Sequence, residues 1–109
     1  SIEKLLKRQG FDVVICSNGE AALDLVKNQD VDLLVSDMRM PGMNGAEVIS
    51  KIREYLKSCG KKPVKEIIIT GYAEEEANRQ AEALNVADYI YKPFDLRDFL
   101  EAVKRNLSA

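Results

Sequence analysis

Apolar positions along the chain alternate between helical spacing and short, nearly continuous runs. The first helical stretch holds Ile2, Leu5 and Leu6 and stops at Gly10. The second is opened by a predicted capping box from Ser17 to Glu20, and the others cover residues 48–56, 74–84 and 96–107, the last capped by Asp95. Runs rich in branched and aromatic residues, which are typical of strands, lie at 11–16, 31–35, 66–70 and 86–91.

The order of these elements predicts the fold class. Strands that alternate with helices form parallel sheets, because the chain must cross back over the sheet between neighbouring strands. The run at 31–35 is apolar at almost every position, as expected of a parallel strand covered on both faces. We therefore expect a doubly wound α/β sheet, in which ligands gather at the carboxyl ends of the strands.

A polar side chain stands at or just past the end of each of three predicted strands. These residues are Asp37, Thr70 and Lys92: an acid, a hydroxyl and an amine. Any one of them alone would be an ordinary polar residue where a strand meets solvent, but the set suits phosphoryl chemistry. A carboxylate can act as a nucleophile and form an acyl phosphate. An ammonium and a hydroxyl can both hydrogen-bond phosphate oxygens.

Composition and charge exclude several other classes of protein. The 109 residues, 46% hydrophobic and 31% charged, describe one ordinary globular domain. A net charge of −2 gives no basic surface for direct nucleic-acid binding, and no run is apolar enough for a membrane span. The chain has no histidine, which removes histidine-based catalysis and metal sites. Cys16 and Cys59 lack metal-site spacing and are expected to be free thiols.

Three motifs give the sequence a specific resemblance. SDMRMPGMNG, IIITGYA and DYIYKPF occur in this order and include the three polar strand ends. In these motifs the chain resembles the receiver domain of two-component response regulators, and the resemblance covers essentially the whole chain. It implies a flavodoxin-like doubly wound parallel sheet. The strand order 2-1-3-4-5 comes with the resemblance and not from the spacing.

The resemblance also implies roles for individual residues. Asp37 would accept a phosphoryl group from a phosphohistidine on a sensor histidine kinase or phosphotransfer protein. Lys92 would pair with the phosphate, and Thr70 would move to hydrogen-bond it. Tyr89 matches the aromatic position that responds to this movement. Pro93 matches a proline preceded by a cis peptide bond, here the bond from Lys92.

One part of the family pattern is absent from the sequence. Receiver domains begin with an apolar strand that ends in two acids, and these acids hold Mg²⁺. This chain opens inside the family's first helix, so the resemblance leaves Asp37 and the backbone carbonyl of Arg39 as its only metal ligands. We therefore expect residues 1–109 to be a receiver domain that lacks the first strand. Either the sequence omits an N-terminal stretch or the protein is truncated.

Two functions fit these features of the sequence. The first is a cytoplasmic, non-enzymatic signalling switch phosphorylated at Asp37. The second is a phosphorylation-incompetent interaction or assembly module, a homodimer or higher oligomer, because loss of the central strand would expose the edges of 11–16 and 31–35. An aspartate-nucleophile phosphatase is disfavoured because it needs a second Asp where Arg39 stands. A flavin-binding protein is disfavoured because the loop after Asp37 lacks the Ser/Thr-rich character of a phosphate-binding loop.

Overall fold

Five helices and three strands make up the part of the chain that the computed structural model describes, residues 2–39, 42–71 and 75–107, and they alternate from the second helix onward. The helices are α1 (Ile2–Arg8), α2 (Gly19–Asn28), α3 (Gly45–Ser58), α4 (Glu75–Leu84) and α5 (Leu96–Leu107). The strands are β1 (Leu33–Asp37), β2 (Lys65–Gly71) and β3 (Asp88–Lys92). Met40 and Pro41 of the first motif, and the predicted helix position Glu74, lie outside the described residues.

The three strands form a parallel sheet in the order β1-β2-β3. Asp37 lies opposite Ile69 in the first pair of strands, and Lys92 lies opposite Gly71 in the second. The ends of all three strands therefore come to the same edge of the sheet. The predicted parallel α/β fold is confirmed.

Helices cover both faces of this sheet, because successive strand residues point to opposite sides. On one face, Ile67, Ile69 and Ile90 pack against α1 and α5. On the other face, Ile68 packs with residues of α3 and α4, and a further cluster joins α2 to α3. The buried helix residues are Leu6, Val26, Ala46, Val48, Ile49, Ile52, Leu56, Ala81, Phe99, Ala102 and Val103. The doubly wound arrangement is confirmed.

The cap of α2 differs from the sequence prediction by one residue. The cap is Asn18, whose side chain accepts a hydrogen bond of 2.8 Å from Ala21 N. Ser17 is therefore not the cap, and Glu20 comes one position too early to complete a capping box. The reason is packing: a Cβ on Gly19 would lie 2.5 Å from Val48, so the helix begins where the chain has no side chain. The predicted cap of α5, Asp95, is confirmed by its 3.0 Å hydrogen bond from Asp98 N.

The prediction of a strand at 11–16 is wrong. This stretch has no regular secondary structure. Among the described residues, neither it nor the outer edge of β1 has a strand partner, and a strand exists only through pairing. Phe11 and Val13 still pack against the core, but Val14 and Ile15 are 56% and 63% exposed. The branched residues are present, but the partner that would order them is not among the described residues.

Candidate functional site

Asp37 and Lys92 meet at the carboxyl edge of the sheet. Lys92 Nζ lies 2.8 Å from Asp37 Oδ2, although 55 residues separate them in the chain. The other carboxylate oxygen accepts a hydrogen bond of 2.9 Å from Arg39 N. The side chains of Asp37 and Lys92 remain 37% and 42% exposed, so an incoming group can reach both. The site therefore combines an accessible carboxylate with a cation already in contact with it.

Thr70 is the last residue but one of the central strand, which lies between the strands that carry Asp37 and Lys92. It is 2% exposed and pairs in register with Tyr91. The sheet thus brings all three polar strand ends to one edge, with the acid and the amine in direct contact. The peptide bond between Lys92 and Pro93, beside this edge, is cis.

The main chain of Asp37 is held by the first turn of α3. A Cβ on Gly45 would lie 2.7 Å from the carbonyl oxygen of Asp37 and 2.8 Å from Ser36 Oγ, so only glycine permits this approach. Asn44 caps the same helix in a capping box with Glu47. The pattern of Asn followed three residues later by Glu could have predicted this cap from sequence. The helix therefore fixes the position from which the Asp37 carboxylate projects.

Tyr89 lies behind the site with its ring packed against the core of β2, α3 and α4. Its hydroxyl donates a hydrogen bond of 2.6 Å to the main-chain oxygen of Ala81 on α4. Burial of the ring, followed by the nearby carboxylate of Glu82, raises the pKa of Tyr89 above its ordinary value. The hydroxyl is therefore held in its protonated form, which is the form that can donate.

An ion pair that sequence reasoning missed connects α3, β2 and α4. Arg53 donates to both carboxylate oxygens of Glu66, at 2.8 Å and 2.5 Å, and to the main-chain oxygen of Leu84 at 2.8 Å. The hydrogen bonds with Glu66 raise the pKa of Arg53 despite partial burial of the guanidinium. The signal in the sequence was an acid at the start of an otherwise apolar strand, which calls for a cation when it is buried.

The fold is that of a known protein family. The model of the response regulator receiver domain matches residues 1–104. The chain belongs to this family. Receiver domains act in two-component signalling and phosphorelays, and they are generally non-enzymatic modules.

Individual relatives agree with this assignment. Sporulation initiation phosphotransferase F of Bacillus subtilis (strain 168) is 28% identical over 106 residues, which are 97% of this chain and 82% of that protein. A CheY-like response regulator receiver domain protein from Methanospirillum hungatei JF-1 has a TM-score of 0.83 at 28% identity, covering 97% of this chain and 81% of that one. The receiver domain of NtrX from Brucella abortus has a TM-score of 0.81 at 18% identity, with coverage of 97% and 86%, and shows likeness of fold alone.

Receiver domains generally depend on Mg²⁺, but the residues seen here do not make a complete site for it. Mg²⁺ needs near-octahedral oxygen ligation. In residues 2–39, 42–71 and 75–107, no three acidic, histidine or cysteine side chains come together to hold a metal ion. Asp37 supplies one carboxylate, and both of its oxygens already accept hydrogen bonds. A magnesium site on Asp37 would need several further oxygen ligands.

None of the described helices is long and apolar enough to cross a membrane.

Proposed function

We propose that residues 1–109 form one receiver domain that works as a phosphoacceptor switch, with Asp37 as the residue that is phosphorylated. The observation that carries the proposal is the 2.8 Å contact between Lys92 Nζ and Asp37 Oδ2 at the carboxyl edge of the sheet. An exposed carboxylate with an adjacent cation suits attack on a phosphorus atom, because the cation offsets the repulsion between two anions.

The phosphoryl donor in this proposal is a phosphohistidine on a sensor histidine kinase or phosphotransfer protein. A carboxylate oxygen of Asp37 attacks the phosphorus, and the new P–O bond forms as the P–N bond breaks. The electron pair of the broken bond stays on the imidazole nitrogen of the donor. Lys92 then donates to one phosphoryl oxygen and Thr70 to another. The family membership and the likeness to a sporulation phosphotransferase support this class of partner.

The switch in this proposal consists of Thr70 and Tyr89. A hydrogen bond from Thr70 to the phosphoryl group would favour one of two positions of the Tyr89 ring, and phosphorylation acts by shifting that equilibrium. The packing of Tyr89 against α4 supports this reading, since any movement of the ring must change its contact with Ala81.

Intact mass spectrometry tests the assignment of Asp37. We expect one phosphoryl group to be added by a small phosphodonor or a phosphohistidine protein, slowly but only at Asp37. Asp37→Asn removes the uptake. Asp32→Asn is the matched control, because Asp32 is an exposed acid just before the same strand, at its other end. Uptake that persists in Asp37→Asn, or is lost in Asp32→Asn, contradicts the proposal.

A second candidate is an assembly module that works without phosphorylation. Two observations favour it: Val14 and Ile15 are exposed apolar residues, and the outer edge of β1 has no partner among the described strands. We infer that the occupant is a second copy of this chain. A two-fold pair would present the same edge from both copies and satisfy the backbone groups of each.

Sedimentation velocity over a range of concentrations tests this second candidate. Self-association is expected to weaken in Val14→Thr/Ile15→Thr, which keeps the tendency to form strands and removes apolar surface. Leu96→Thr is the control, since Leu96 is 44% exposed on α5. A monomer at every concentration contradicts the assembly module. So does a dimer that only Leu96→Thr weakens.

A further inference from the structure

The side chain of Asn44 makes hydrogen bonds in two directions. Its Oδ1 accepts from Glu47 N at 3.0 Å and so caps α3. Its Nδ2 donates to Oε1 of Gln80 on α4 at 2.9 Å. The cap of one helix is therefore bound to a second helix through a side chain 36 residues further along the chain.

Gly45, the first helical residue after this cap, is in contact with the main chain of Asp37 and Met38. Gly45 N donates to the oxygen of Met38 at 3.4 Å. A Cβ on Gly45 would lie 2.7 Å from the Asp37 carbonyl oxygen, a separation that real Cβ atoms essentially never show. Because close-packed groups transmit strain, the main chain of Asp37 cannot move toward α3 without moving the first turn of that helix.

The hydrogen bond between Asn44 and Gln80 also connects to Tyr89, through α4. Ala81, the residue after Gln80, is fully buried in the same apolar cluster as Met38. Its main-chain oxygen accepts the hydrogen bond from the Tyr89 hydroxyl. A continuous set of contacts therefore runs from Asp37 through the cap of α3 to α4 and then to Tyr89.

We propose that the Asn44–Gln80 hydrogen bond transmits a displacement at Asp37 to α4 and Tyr89, in parallel with the Thr70–Tyr89 pair. This inference rests on the proposed function, because phosphorylation is the event that would displace Asp37. Gln80 is then a positioning residue. It sets where α4 lies relative to Asp37 and does not touch the phosphoryl group. The link has an effect only if the two states of the domain differ in how well it is made.

Because Asn44 and Gln80 both carry side-chain amides, the hydrogen bond between them can be removed while the cap of α3 is kept. Asn44→Asp retains a capping oxygen, and Gln80 can then turn its amide to donate. In Gln80→Glu, Asn44 still donates, now to a carboxylate. Only the double variant Asn44→Asp/Gln80→Glu sets two carboxylates face to face without a donor. The matched control is Asn44→Asp/Arg79→Gln, which changes the net charge by the same amount one residue away.

Each protein is compared with its own Asp37→Asn version by two-dimensional NMR. The signals read are the amides of Ala81 and Leu84 and the ring of Tyr89. We expect Asp37→Asn to shift these signals in the wild type, in both single variants and in the control. In Asn44→Asp/Gln80→Glu we expect the shift to be at most about half as large. Equal shifts in that double variant and the control overturn the proposal. Absence of any shift in the wild type overturns it as well.

Phosphoryl uptake is measured separately, by intact mass after treatment with a small phosphodonor. The proposal expects the same uptake in the wild type and in Asn44→Asp/Gln80→Glu, because neither substitution removes a group that contacts phosphate. Absence of uptake from every protein contradicts the proposed function. The NMR comparison needs no phosphodonor, so it still decides whether the link exists.

Discussion

Tyr89 and Ala81 join β3 to α4 through a hydrogen bond of 2.6 Å from the phenol hydroxyl to the main-chain oxygen. Ala81 is one of the last four residues of α4, whose carbonyl oxygens have no donor within the helix. The Tyr89 hydroxyl therefore supplies a hydrogen bond that the helix cannot make for itself. Any rearrangement of Tyr89 must leave this oxygen to water or to another donor.

The Tyr89 contact predicts a loss of stability at alkaline pH. The pKa of Tyr89 is raised in the folded protein, so the folded state binds the phenol proton more tightly than the unfolded chain does. The free energy of unfolding is therefore fully supported below the ordinary tyrosine pKa of about 10 and falls as the pH rises beyond it. Urea unfolding between about pH 8 and about pH 11 measures this.

Two phenylalanine variants make the alkaline prediction specific. Tyr89→Phe is expected to flatten the decline above about pH 10, because the titrating group is gone. Tyr91→Phe is the control, since Tyr91 is 38% exposed on the same strand. A profile that Tyr89→Phe leaves unchanged, or that Tyr91→Phe flattens equally, would show that another group causes the loss.

Lys92→Gln is predicted to separate function from stability. Loss of the cation should slow phosphoryl uptake by about tenfold or more, because no positive charge then offsets the repulsion between the carboxylate and the phosphate. The free energy of unfolding should change by less than about 1 kcal/mol, because the ion pair with Asp37 is partly exposed and screened by solvent. Lys51→Gln, an exposed lysine on α3, should change neither quantity. Equal uptake rates in the two variants would remove Lys92 from the proposed chemistry.

Magnesium is predicted to have little effect on these 109 residues. The described part of the chain brings no cluster of acids to Asp37. The metal therefore has too few ligands to offset the charge of an approaching phosphate. Uptake from a small phosphodonor should be slow and change by less than about threefold when Mg²⁺ is removed by chelation. Rapid uptake that a chelator stops, and that Asp37→Asn abolishes, would show that the site is more complete than these residues indicate.

Arg53→Met is predicted to destabilise the protein more than most single substitutions. The Glu66 side chain is only 6% exposed, so losing its partner leaves a carboxylate buried without a cation. We expect a loss of about 2–3 kcal/mol in urea unfolding, at the low end for buried pairs because Arg53 is partly exposed. The double variant Arg53→Met/Glu66→Met should lose less than Arg53→Met alone. A larger loss in the double variant would mean that the two residues stabilise the fold independently.

Arg105→Met is the comparison for this ion pair. Arg105 also binds an acid, Asp88, but its side chain is 61% exposed. Its removal should affect stability much less than Arg53→Met does, because water replaces the lost partner. Similar losses from the two substitutions would show that burial of Glu66 is not the cause.

Features that depend on local pattern could be predicted from the sequence. The parallel strands follow from alternating periods, and Asp37 and Lys92 come to the same edge because both directly end such strands. The stretch at 11–16 has residues that favour strands equally well, but it can form a strand only if another strand pairs with it. The residues of the stretch itself cannot show whether such a partner is present. The Asn44–Gln80 and Arg53–Leu84 hydrogen bonds depend on how closely α3 and α4 approach. That distance is set by packing, so only the fold could show them.

Helix α4 has no basic residue in its last turn, and the positive charge near its end comes from Arg53 on α3. Neither helix can therefore be replaced by the corresponding helix of a relative without affecting the other. A chimera that takes α4 from a relative with its own terminal lysine would make Arg53 redundant there. One that takes α3 from a relative without an arginine at this position would leave both Glu66 and the end of α4 uncompensated. Recombination between receiver domains should thus succeed when the crossover keeps residues 53–84 together, and fail more often when it falls between them.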